Sequence, residues 1–297
     1  NNASAWLLRS RVMSANNPTS PPRPTTGKVS VRNVSKIYDP GGANVVALDN
    51  FSMEMEAGDF IAIVGPSGCG KSTLLNILAG FDTLTGGEVY LDDEPLALVG
   101  KPPEPGPSRV VVFQQGALFP WKTVLENVTY GLLKQRVMGK PEAEAKAMDL
   151  LARSGNLERI AGSYPAQLSS GMQRRVEILR ALINDPKILL LDEPFRAMDT
   201  VNKNTMHQHL LKLFQDNRKT IMFITHDLEE ALFLADRVIV MTTRPGTMKL
   251  DIDVKLPRPR ERAMMASDEY IALRKQTILA VREEAKRAFE RGEREMA

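Results

Sequence analysis

The sequence predicts an α/β fold organised around a parallel sheet, and three observations support this. A glycine-rich stretch at Gly65–Thr73 lies between an apolar run and a segment with the pattern of a helix. Further short apolar runs occur at Lys187–Leu191 and Thr220–Thr225, followed by an acidic pair and by a histidine, respectively. Residues 115–184 mainly have the pattern of helices. Strands that are apolar along their whole length are typical of a parallel sheet covered by helices on both faces.

The N-terminal part of the chain predicts a tail followed by antiparallel strands. Residues 1–27 predict a disordered tail, because Ser, Asn, Pro and Thr dominate much of it without periodicity. Lys28–Tyr38 alternates between apolar and polar residues, which predicts an edge strand, and Val45–Met55 predicts a pair of partner strands beyond a turn at Gly41 and Gly42. From spacing alone, Tyr38 either stacks on an adenine ring or packs on its own sheet.

The glycine-rich stretch fits the pattern G-x-x-x-x-G-K-[ST]. Phe60–Val64 before it predicts a buried strand, and Leu74–Ala79 after it predicts a helix that ends at Gly80. Such a strand, loop and helix N-terminus form an anion cradle, because backbone N–H groups and the helix dipole both favour negative charge. We therefore predict a purine nucleoside triphosphate as the ligand.

The residue types within the loop indicate how the phosphates are held. Lys71 is expected to reach the β- and γ-phosphates, and the Ser72 hydroxyl is expected to ligate Mg²⁺. The predicted cofactor-binding residues of the loop are Gly65, Pro66, Ser67, Gly68, Cys69, Gly70, Lys71, Ser72 and Thr73.

The predicted helical block interrupts the strand pattern. Arg109–Phe113 predicts a buried strand before it, Thr123–Glu126 predicts a capping box within it, and Pro141 can occupy the first turn of a helix that runs through Leu151. We therefore predict a nucleotide-binding core with its β subdomain at residues 28–114 and 185–252, a helical subdomain at 115–184, and a linker with a charged helix at 253–297.

Polar residues follow two of the later strands. Leu189–Glu193 ends in an acidic pair, in which Asp192 would hold Mg²⁺ and Glu193 would orient or deprotonate the attacking water. An acidic surface turn is the ordinary alternative, but the phosphate loop upstream favours the catalytic role. His226 follows the next strand, where a neutral imidazole could bind a γ-phosphate.

The C-terminal segment predicts a linker at Leu256–Arg260 and a charged helix from about residue 268 to 291. One packed face of this helix is predicted to contain Ile271, Leu273, Ile278, Leu279, Val281 and Ala285.

The composition narrows the possible functions. The 297-residue chain has a formal net charge of +3, which gives no case for nucleic-acid binding by bulk electrostatics. Cys69 is the single cysteine, so the sequence has no disulfide framework. No apolar run approaches the roughly 20 residues that span a bilayer, so any membrane spans would have to come from another chain.

Leu168–Gln173 resembles the signature motif of the ATP-binding-cassette (ABC) ATPases, usually written LSGGQ. The other landmarks of that family follow in the expected order between Lys28 and Ile252. They are Tyr38, Gly65–Thr73, Gln114, Leu189–Glu193, Asp199 and His226. The resemblance implies a P-loop NTPase fold with a RecA-like core, an antiparallel β subdomain and an inserted helical subdomain. It also implies ATP and Mg²⁺ as ligands.

The resemblance assigns roles within one chain. Tyr38 would be the aromatic residue that stacks on adenine. Gln114 would lie in a flexible loop that touches Mg²⁺ or the attacking water and senses a transporter partner. Glu193 would be the catalytic base, and His226 would contact the γ-phosphate.

Three further residues would act between two chains. Ser169 and Gly171 would cap the γ-phosphate of ATP bound to the opposite subunit, and Asp199 would couple the two sites. Ser170–Gln173 fits a capping box at the start of a helix through Leu182, which would offer a helix N-terminus to an anion. Two copies, or this chain and a paralogue, would then enclose two ATP molecules.

A finer resemblance concerns partners. Gln114–Trp121 followed by Thr123–Asn127 is similar to the ATPases of nitrate, sulfonate and taurine importers, as is the charged C-terminal segment. This implies a peripheral protein at the cytoplasmic face of the inner membrane. The implied partners are a permease dimer and an extracytoplasmic solute-binding protein, with no nucleic acid.

Some residues depart from the family pattern. Ser170 replaces a glycine, so a positive φ there would be strained. Arg196 and Met198 replace a small residue and a leucine before Asp199, which bears on coupling between the two sites. Gly116 replaces a frequent proline, which should loosen the loop around Gln114.

Two other functions stay open at this point. One is a cassette protein acting on nucleic acid or ribosomes, although the second cassette or long coiled-coil insertion usual in such proteins is not visible here. The other is a regulatory subunit that binds ATP but hydrolyses it poorly. The departures at Ser170 and Met198 suggest it, and the presence of Glu193 and His226 opposes it.

Overall fold

The computed structural model describes residues 22–196 and 198–290. This part of the chain forms a six-stranded and a four-stranded sheet with helices around them. The strands are β1 Val29–Tyr38, β2 Val45–Met55, β3 Phe60–Val64, β4 Gly86–Leu91, β5 Glu94–Leu98, β6 Arg109–Val112, β7 Ile188–Asp192, β8 Thr220–Ile224, β9 Arg237–Met241 and β10 Met248–Asp253. The α-helices are α1 Lys71–Ala79, α2 Val124–Lys134, α3 Lys140–Arg153, α4 Ser170–Leu182, α5 Thr200–Asp216, α6 Leu228–Leu234 and α7 Asp268–Glu290. Short 3₁₀ helices lie at Leu157–Ile160, Pro165–Gln167 and Arg262–Ala266.

The six-stranded sheet has the order β10-β9-β3-β8-β7-β6, and all neighbouring pairs except β10–β9 are parallel. The predicted parallel sheet is therefore confirmed. Alternate side chains of β3 point to opposite faces: Phe60 and Ala62 join a core with α5 and α6, whereas Ile61 and Ile63 join one with α1 and the other sheet. Because parallel strands end at one edge, the residues after β3, β7 and β8 lie at the same edge.

The four-stranded sheet is antiparallel, with the order β2-β1-β4-β5. The prediction of an edge strand at Lys28–Tyr38 is wrong, because β1 pairs with β2 on one side and with β4 on the other. The predicted turn at Gly41 and Gly42 is confirmed. The prediction of a strand pair over Val45–Met55 is wrong, because these residues form one continuous strand that pairs with β1 despite register shifts.

The inserted helices have a core of their own. Val128 of α2, Leu151 of α3 and Leu179 of α4 are among its buried residues. The capping box at Thr123 is confirmed: the Glu126 N–H donates to Thr123 Oγ1 (3.3 Å), and the Thr123 N–H donates to Glu126 Oε2 (2.8 Å). Pro141 lies in the first turn of α3, also as predicted.

The residues before β1 differ from the prediction where they are described. Residues 22–27 contain no helix or strand, but they are anchored to the core. Arg23 forms an ion pair with Asp59 (3.0 Å), and the Thr220 hydroxyl donates to the Gly27 carbonyl oxygen (2.7 Å). The anchored chain thus begins before Lys28. The rest of the predicted tail, residues 1–21, lies outside the described residues.

The C-terminal helix α7 exists as predicted to its last described residue, Glu290, but its packed face matches the prediction only in part. Ile271 and Leu279 are more than half exposed, and Ala285 is exposed. The buried residues are Tyr270, Thr277, Ala280, Glu284 and Ala288. The prediction is confirmed for Leu273 and Val281, which are half-buried and pack against the core. It is wrong for Ile271, Leu279 and Ala285, and it missed Thr277 and Glu284, whose hydrogen bonds make their burial tolerable.

Among residues 22–196 and 198–290, no helix is both long enough and apolar enough to cross a membrane.

Candidate nucleotide-binding and hydrolysis site

The phosphate loop connects β3 to α1 at the carboxyl edge of the parallel sheet. Helix α1 begins at Lys71, three residues earlier than predicted, with Gly70 as its N-cap at φ 97°. A Cβ at Gly70 would lie 2.7 Å from the Ala47 carbonyl oxygen, so both the backbone angle and the close approach favour glycine. This conformation opens the N–H groups at the start of α1 toward an anion.

The Lys71 ammonium is buried within this loop. It donates to the carbonyl oxygens of Gly65 and Pro66, both at 2.9 Å, and lies 3.7 Å from Cys69 Sγ. Burial raises the pKa of the Cys69 thiol, although the neighbouring ammonium opposes this. The thiol is therefore protonated near neutral pH, and Lys71 is the charged side chain of the loop.

Ser72 and Asp192 come together from two elements. The Ser72 hydroxyl at the start of α1 lies near enough to the Asp192 carboxylate at the end of β7 to lower the pKa of that carboxyl group. Burial and the adjacent Glu193 raise the pKa of Asp192, opposed by Ser72 and Lys71. A hydroxyl and a partly desolvated carboxylate are hard oxygen donors of the kind Mg²⁺ takes together with substrate phosphates. These residues fit the predicted metal site.

Glu193 follows β7 in an unusual backbone conformation, with φ 42°. The Glu193 N–H donates to the Ile224 carbonyl oxygen on the neighbouring strand (2.9 Å), which fixes the turn. Its carboxylate oxygen Oε2 lies 3.5 Å from His226 Nδ1 and 3.1 Å from Arg196 Nη1. A strained, non-glycine residue held by tertiary contacts is a common feature of functional sites. The structure thus brings together the predicted base and the predicted γ-phosphate contact.

Gln114 is exposed after β6, and its backbone is tied to α4. Arg174 donates through Nη1 to the Phe113 carbonyl oxygen (2.7 Å) and through Nη2 to the Gln114 carbonyl oxygen (2.6 Å). The same guanidinium pairs with Glu177 (2.5 Å), which accepts the Ala117 N–H through its other oxygen (2.7 Å). Sequence reasoning missed this clamp, although the spacing of Arg174 and Glu177 is typical of a pair on one helix face.

Tyr38 is 39% exposed, and its hydroxyl is tethered. It donates to Asp82 Oδ2 (2.6 Å) and lies 3.4 Å from Thr73 Oγ1 on α1. Burial and the Asp82 contact raise the pKa of Tyr38. The Lys36 ammonium lies 4.8 Å from the ring centroid. The ring therefore stands beside the helix of the phosphate loop, as a residue that stacks on a bound base would.

The start of α4 differs in detail from the prediction. Its N-cap is Ser169, which accepts the Met172 N–H at 3.3 Å. The capping box predicted for Ser170–Gln173 is wrong, because the Gln173 amide instead donates to the carbonyl oxygens of Pro165 and Leu168 (2.9 and 3.2 Å). Ser170 is the first helical residue and is not among those with positive φ, so the expected strain is not present.

Asp199 is the N-cap of the neighbouring helix α5. Its Oδ1 accepts the N–H groups of Val201 and Asn202, both at 3.0 Å, and these bonds lower the pKa of Asp199. Gly171 on α4 lies near the same place, since a Cβ there would be 3.9 Å from Asn202 Oδ1. Among the described residues, no hydrogen bond joins Ser169, Gly171 or Asp199 to the phosphate loop.

The phosphate loop between β3 and α1, with an acidic pair at the end of β7, defines a P-loop NTPase. Residues 48–196 match the family described as ABC transporter. With the relatives described next, this match shows that the chain belongs to the ABC transporter ATP-binding family.

Relatives of known sequence are similar along most of their length. An uncharacterised ABC transporter ATP-binding protein of Methanocaldococcus jannaschii is 43% identical over 258 residues, 86% of this chain and 92% of that protein. The nitrate import ATP-binding protein NrtD of Synechococcus elongatus is 38% identical over 268 residues, 90% of this chain and 96% of that protein. The aliphatic sulfonates import ATP-binding protein SsuB of Bacillus cereus is 38% identical over 251 residues, 84% and 94% of the two chains.

Solved structures agree with this fold. The cassette MJ0796, determined as a dimer in a post-hydrolysis state with ADP and Pi, has a TM-score of 0.64 and 34% identity over 76% of this chain and 98% of its own. CbiO1 of Clostridium perfringens, part of the cbiONQ transporter complex, has a TM-score of 0.68 and 25% identity over 86% and 96%. The predicted fold class and ATPase activity are confirmed: the chain binds ATP with Mg²⁺ and hydrolyses ATP.

Proposed function

We propose that this protein is the ATPase subunit of an ABC importer, which pairs with a second ATPase chain around two ATP molecules and drives a separate membrane permease. The observation that carries the proposal is a groove beside the Gln114 loop. The groove has a volume of about 230 Å³, and its lining includes Phe113, Ala117 and Phe119 after β6 and Tyr130 on α2.

The groove has the character of a docking site for a helix or loop of a permease. Phe119 packs against Tyr130 (ring centroids 4.7 Å apart) and against Trp121 (5.7 Å), and Trp121 is 70% exposed. The Arg180 guanidinium lies 5.3 Å from the Phe119 ring centroid. Exposed aromatic groups beside an arginine are enriched where proteins bind one another. A partner seated here would meet the chain segment that carries Gln114.

The clamp made by Arg174 would transmit a change at the groove to the nucleotide. Arg174 and Glu177 on α4 hold the backbone of the Gln114 loop, and α4 begins directly after Ser169. Movement of the loop would therefore move the helix that presents Ser169 and Gly171 to the second ATP. We propose these two residues as the cap on the γ-phosphate bound by the partner subunit, with Asp199 as the coupling residue.

Hydrolysis would be an in-line attack of water on the γ-phosphate. The Lys71 ammonium would exchange its contacts with the Gly65 and Pro66 carbonyl oxygens for phosphate oxygens. Mg²⁺ held at Ser72 and Asp192 would neutralise negative charge on the phosphates. Glu193 would orient the water and accept its proton, since its carboxylate is fixed at the same sheet edge as the phosphate loop.

The other proposed contacts complete the site. His226 would bind the γ-phosphoryl group, Gln114 would contact Mg²⁺ or the attacking water, and Tyr38 would stack on adenine. The remaining loop residues would hold the phosphates through backbone N–H groups. They are Pro66, Ser67, Gly68, Cys69, Gly70 and Thr73.

The similarity to nitrate and aliphatic sulfonates import proteins supports a small oxyanion or organosulfonate as the solute. We propose a peripheral position at the cytoplasmic face of the inner membrane, with an extracytoplasmic solute-binding protein delivering the solute to the permease dimer. Solute choice would reside in those partners.

The test is capture of tagged protein with its partners from gently solubilised native membranes, followed by mass spectrometry. We expect recovery of an integral permease with the unmodified protein and loss of it with Tyr130→Glu, which places a charge in the groove. Phe289→Glu is the matched control, because Phe289 is an aromatic residue on α7 that is 83% exposed. Recovery of only ribosomal or other soluble partners would refute the importer assignment and leave the ATPase chemistry intact.

A further inference from the structure

A buried polar network lies next to the loop that carries His226, and the hydrolysis steps described above do not use it. Its side chains are His207 of α5, Glu230 of α6 and Thr225 after β8, all of them buried. His207 Nε2 lies 2.7 Å from Glu230 Oε1, and the Thr225 hydroxyl hydrogen bonds to Glu230 Oε2. Three elements of the fold therefore meet at one carboxylate.

The direction of each hydrogen bond in the network follows from the groups that take part. The Asp227 N–H donates to Thr225 Oγ1 (3.0 Å), so the proton of the Thr225 hydroxyl is available to Glu230. A carboxylate accepts hydrogen bonds, so His207 donates from Nε2 to the other oxygen of Glu230. Each oxygen of Glu230 thus has a donor from a different element, which makes the burial of this group tolerable.

The network holds the chain on both sides of His226. Thr225 and Asp227 flank His226, and both are bonded within the network. The Thr225 N–H also donates to the Ile63 carbonyl oxygen (3.3 Å) on β3, the strand that leads into the phosphate loop. The His226 side chain is exposed, and its Nδ1 lies 3.5 Å from Glu193 Oε2. An exposed imidazole depends on its backbone for its position, and this backbone is fixed by the network.

Helix α5 is bonded to the same segment at two points. Besides the contact through His207, the Lys203 ammonium near the start of α5 lies 3.2 Å from Asp227 Oδ2. The His207 ring also packs edge-on against Phe195 (centroids 5.5 Å apart), which lies two residues after Glu193. Helix α5 therefore contacts the segments that carry the proposed base and the proposed γ-phosphate contact.

We propose that Glu230 and His207 are positioning residues for ATP hydrolysis, because they fix the place of His226. That role rests on the proposed function, in which His226 contacts the γ-phosphate. Glu230 acts through Thr225, and His207 acts by holding Glu230, so neither contacts the nucleotide. Loss of either side chain leaves a buried polar group without its partner, and the loop shifts to recover one.

The first test compares the ATPase kinetics of the full chain with those of Glu230→Gln. A glutamine amide has one acceptor oxygen, so it cannot accept from both Thr225 and His207. We expect kcat to fall roughly tenfold, because a small misplacement of a catalytic contact is costly. The KM for ATP should change less than about twofold, since the phosphate loop is untouched. Glu229→Gln is the matched control and should leave kcat unchanged, because the Glu229 side chain is 50% exposed and pairs with Arg274 (2.8 Å).

A double-mutant cycle with His226→Ala separates positioning from a general loss of stability. Single-turnover release of radiolabelled phosphate measures the low residual rates. Glu230→Gln should lower the rate roughly tenfold in the unmodified chain and less than about twofold in the His226→Ala background, because it acts through His226. Equal effects in both backgrounds, or an unchanged rate for Glu230→Gln alone, would overturn the proposal. A normal rate for His226→Ala alone would instead refute the proposed contact of His226 with the γ-phosphate.

Substitutions of His207 give an independent test. His207→Leu removes the donor to Glu230 and should lower kcat by a similar factor, whereas His207→Gln places an amide N–H near the former Nε2 position and should recover most of the activity. Neither variant keeps the ring contact with Phe195, so the difference between them reports on the hydrogen bond. Equal losses in the two variants would show that His207 only packs, which would overturn its positioning role.

Histidine ring signals in NMR spectra of the full chain without nucleotide measure the position of His226 without reference to hydrolysis. The chain has 3 histidines, which can be assigned by substitution. Glu230→Gln should shift the signals of His226, and Glu229→Gln should leave them in place. Unchanged His226 signals in Glu230→Gln would overturn the proposal even if the ATPase rate fell.

Discussion

Two parts of the molecule differ in the contacts that their key side chains already make within the chain. One is the phosphate loop Gly65–Thr73, which we call the phosphate-loop side. The other consists of Ser169, Gly171 and Asp199 at the starts of α4 and α5, which we call the signature side. Lys71 is 8% exposed, and its ammonium is satisfied by two carbonyl oxygens of its own loop. By contrast, Ser169 and Asp199 are exposed, and among the described residues their side chains bond only within the first turn of their own helices. One side is a prebuilt anion cradle, whereas the other offers helix N-termini to the solvent.

This difference predicts that ATP binding needs one subunit, whereas efficient hydrolysis needs two. The cradle gains its charge and geometry from one chain, so we expect a single subunit to hold nucleotide. In the proposed function, the signature side would contact a nucleotide only when a second ATPase chain brings one. A chain built in this way would bind ATP alone and hydrolyse it efficiently only in a pair, and the substitutions below test this.

The largest effect on ATP affinity is expected for Lys71→Ala. Removal of the ammonium takes away the cation of the cradle, and charge-assisted bonds to phosphate account for roughly 3 kcal/mol, so ATP affinity should fall about 100-fold or more. Binding of a fluorescent ATP analogue to the isolated subunit measures this. Lys275→Ala, at an exposed lysine of α7, serves as the control. Near-normal affinity in the Lys71 variant would show that backbone N–H groups alone bind the nucleotide.

The phosphate loop was predictable because its signals are local. The glycines, lysine and serine of Gly65–Thr73 stand in one short run between a strand and a helix, and the structure adds only the early start of α1 at Lys71. The polar residues at the carboxyl edge of the sheet were predictable for the same reason, since Asp192 ends the apolar strand β7 and His226 lies two residues beyond the apolar strand β8.

Features that depend on competition between neighbours were not predictable. Ser169 and Ser170 are both good N-caps, and the choice of Ser169 follows from the 3₁₀ helix Pro165–Gln167, which leaves Leu168 extended. Gln173 then bonds to the carbonyl groups of that turn and cannot complete a capping box. The sequence pattern contains both possibilities, and only the path of the preceding chain decides between them.

Long-range polar contacts were missed for a different reason. Arg174 reaches the carbonyl group of Gln114, which lies 60 residues earlier in the chain, but an arginine in a sequence does not indicate which backbone oxygen it will meet. The buried face of α7 was likewise assigned from apolar residues, although Glu284 is buried there because partners from elsewhere in the chain satisfy it.

The second largest effect concerns the signature side and is measured in a Glu193→Gln background, where loss of the proposed base should block hydrolysis. This variant should bind ATP and accumulate as a dimer on size-exclusion chromatography. Adding Ser169→Asp should abolish the dimer while leaving ATP binding unchanged, because aspartate keeps the N-cap but repels phosphate. The repulsion corresponds to a loss of about 100-fold in dimer affinity at an effective dielectric constant near 20.

Ser169→Thr is the control for this experiment, since threonine keeps both the cap and the hydroxyl. It should form the dimer with ATP. A normal amount of dimer with Ser169→Asp would show that the second contact to ATP lies elsewhere. The signature side would then not be the part of the chain that needs a second subunit.

The smallest effect on ATP binding is expected for Glu284→Gln, which tests whether α7 supports the phosphate loop. Glu284 is 1% exposed, accepts the Thr243 N–H (2.9 Å) and pairs with Lys249 (2.7 Å). Arg244, which follows Thr243 in the chain, donates through Nε to the Gly68 carbonyl oxygen of the phosphate loop (3.1 Å). Glutamine keeps an acceptor for Thr243 but loses the charge, so stability should fall by about 1–2 kcal/mol.

The expected kinetic result is a KM for ATP raised about two- to threefold with an unchanged kcat, because the loop is less well positioned but the base is untouched. Glu283→Gln is the matched control: Glu283 also pairs with Lys249 (2.7 Å), but its side chain is 52% exposed. It should change neither the melting temperature nor KM appreciably. If Glu284→Gln lowers the melting temperature without changing KM, α7 only stabilises the fold, and the phosphate loop is complete without it.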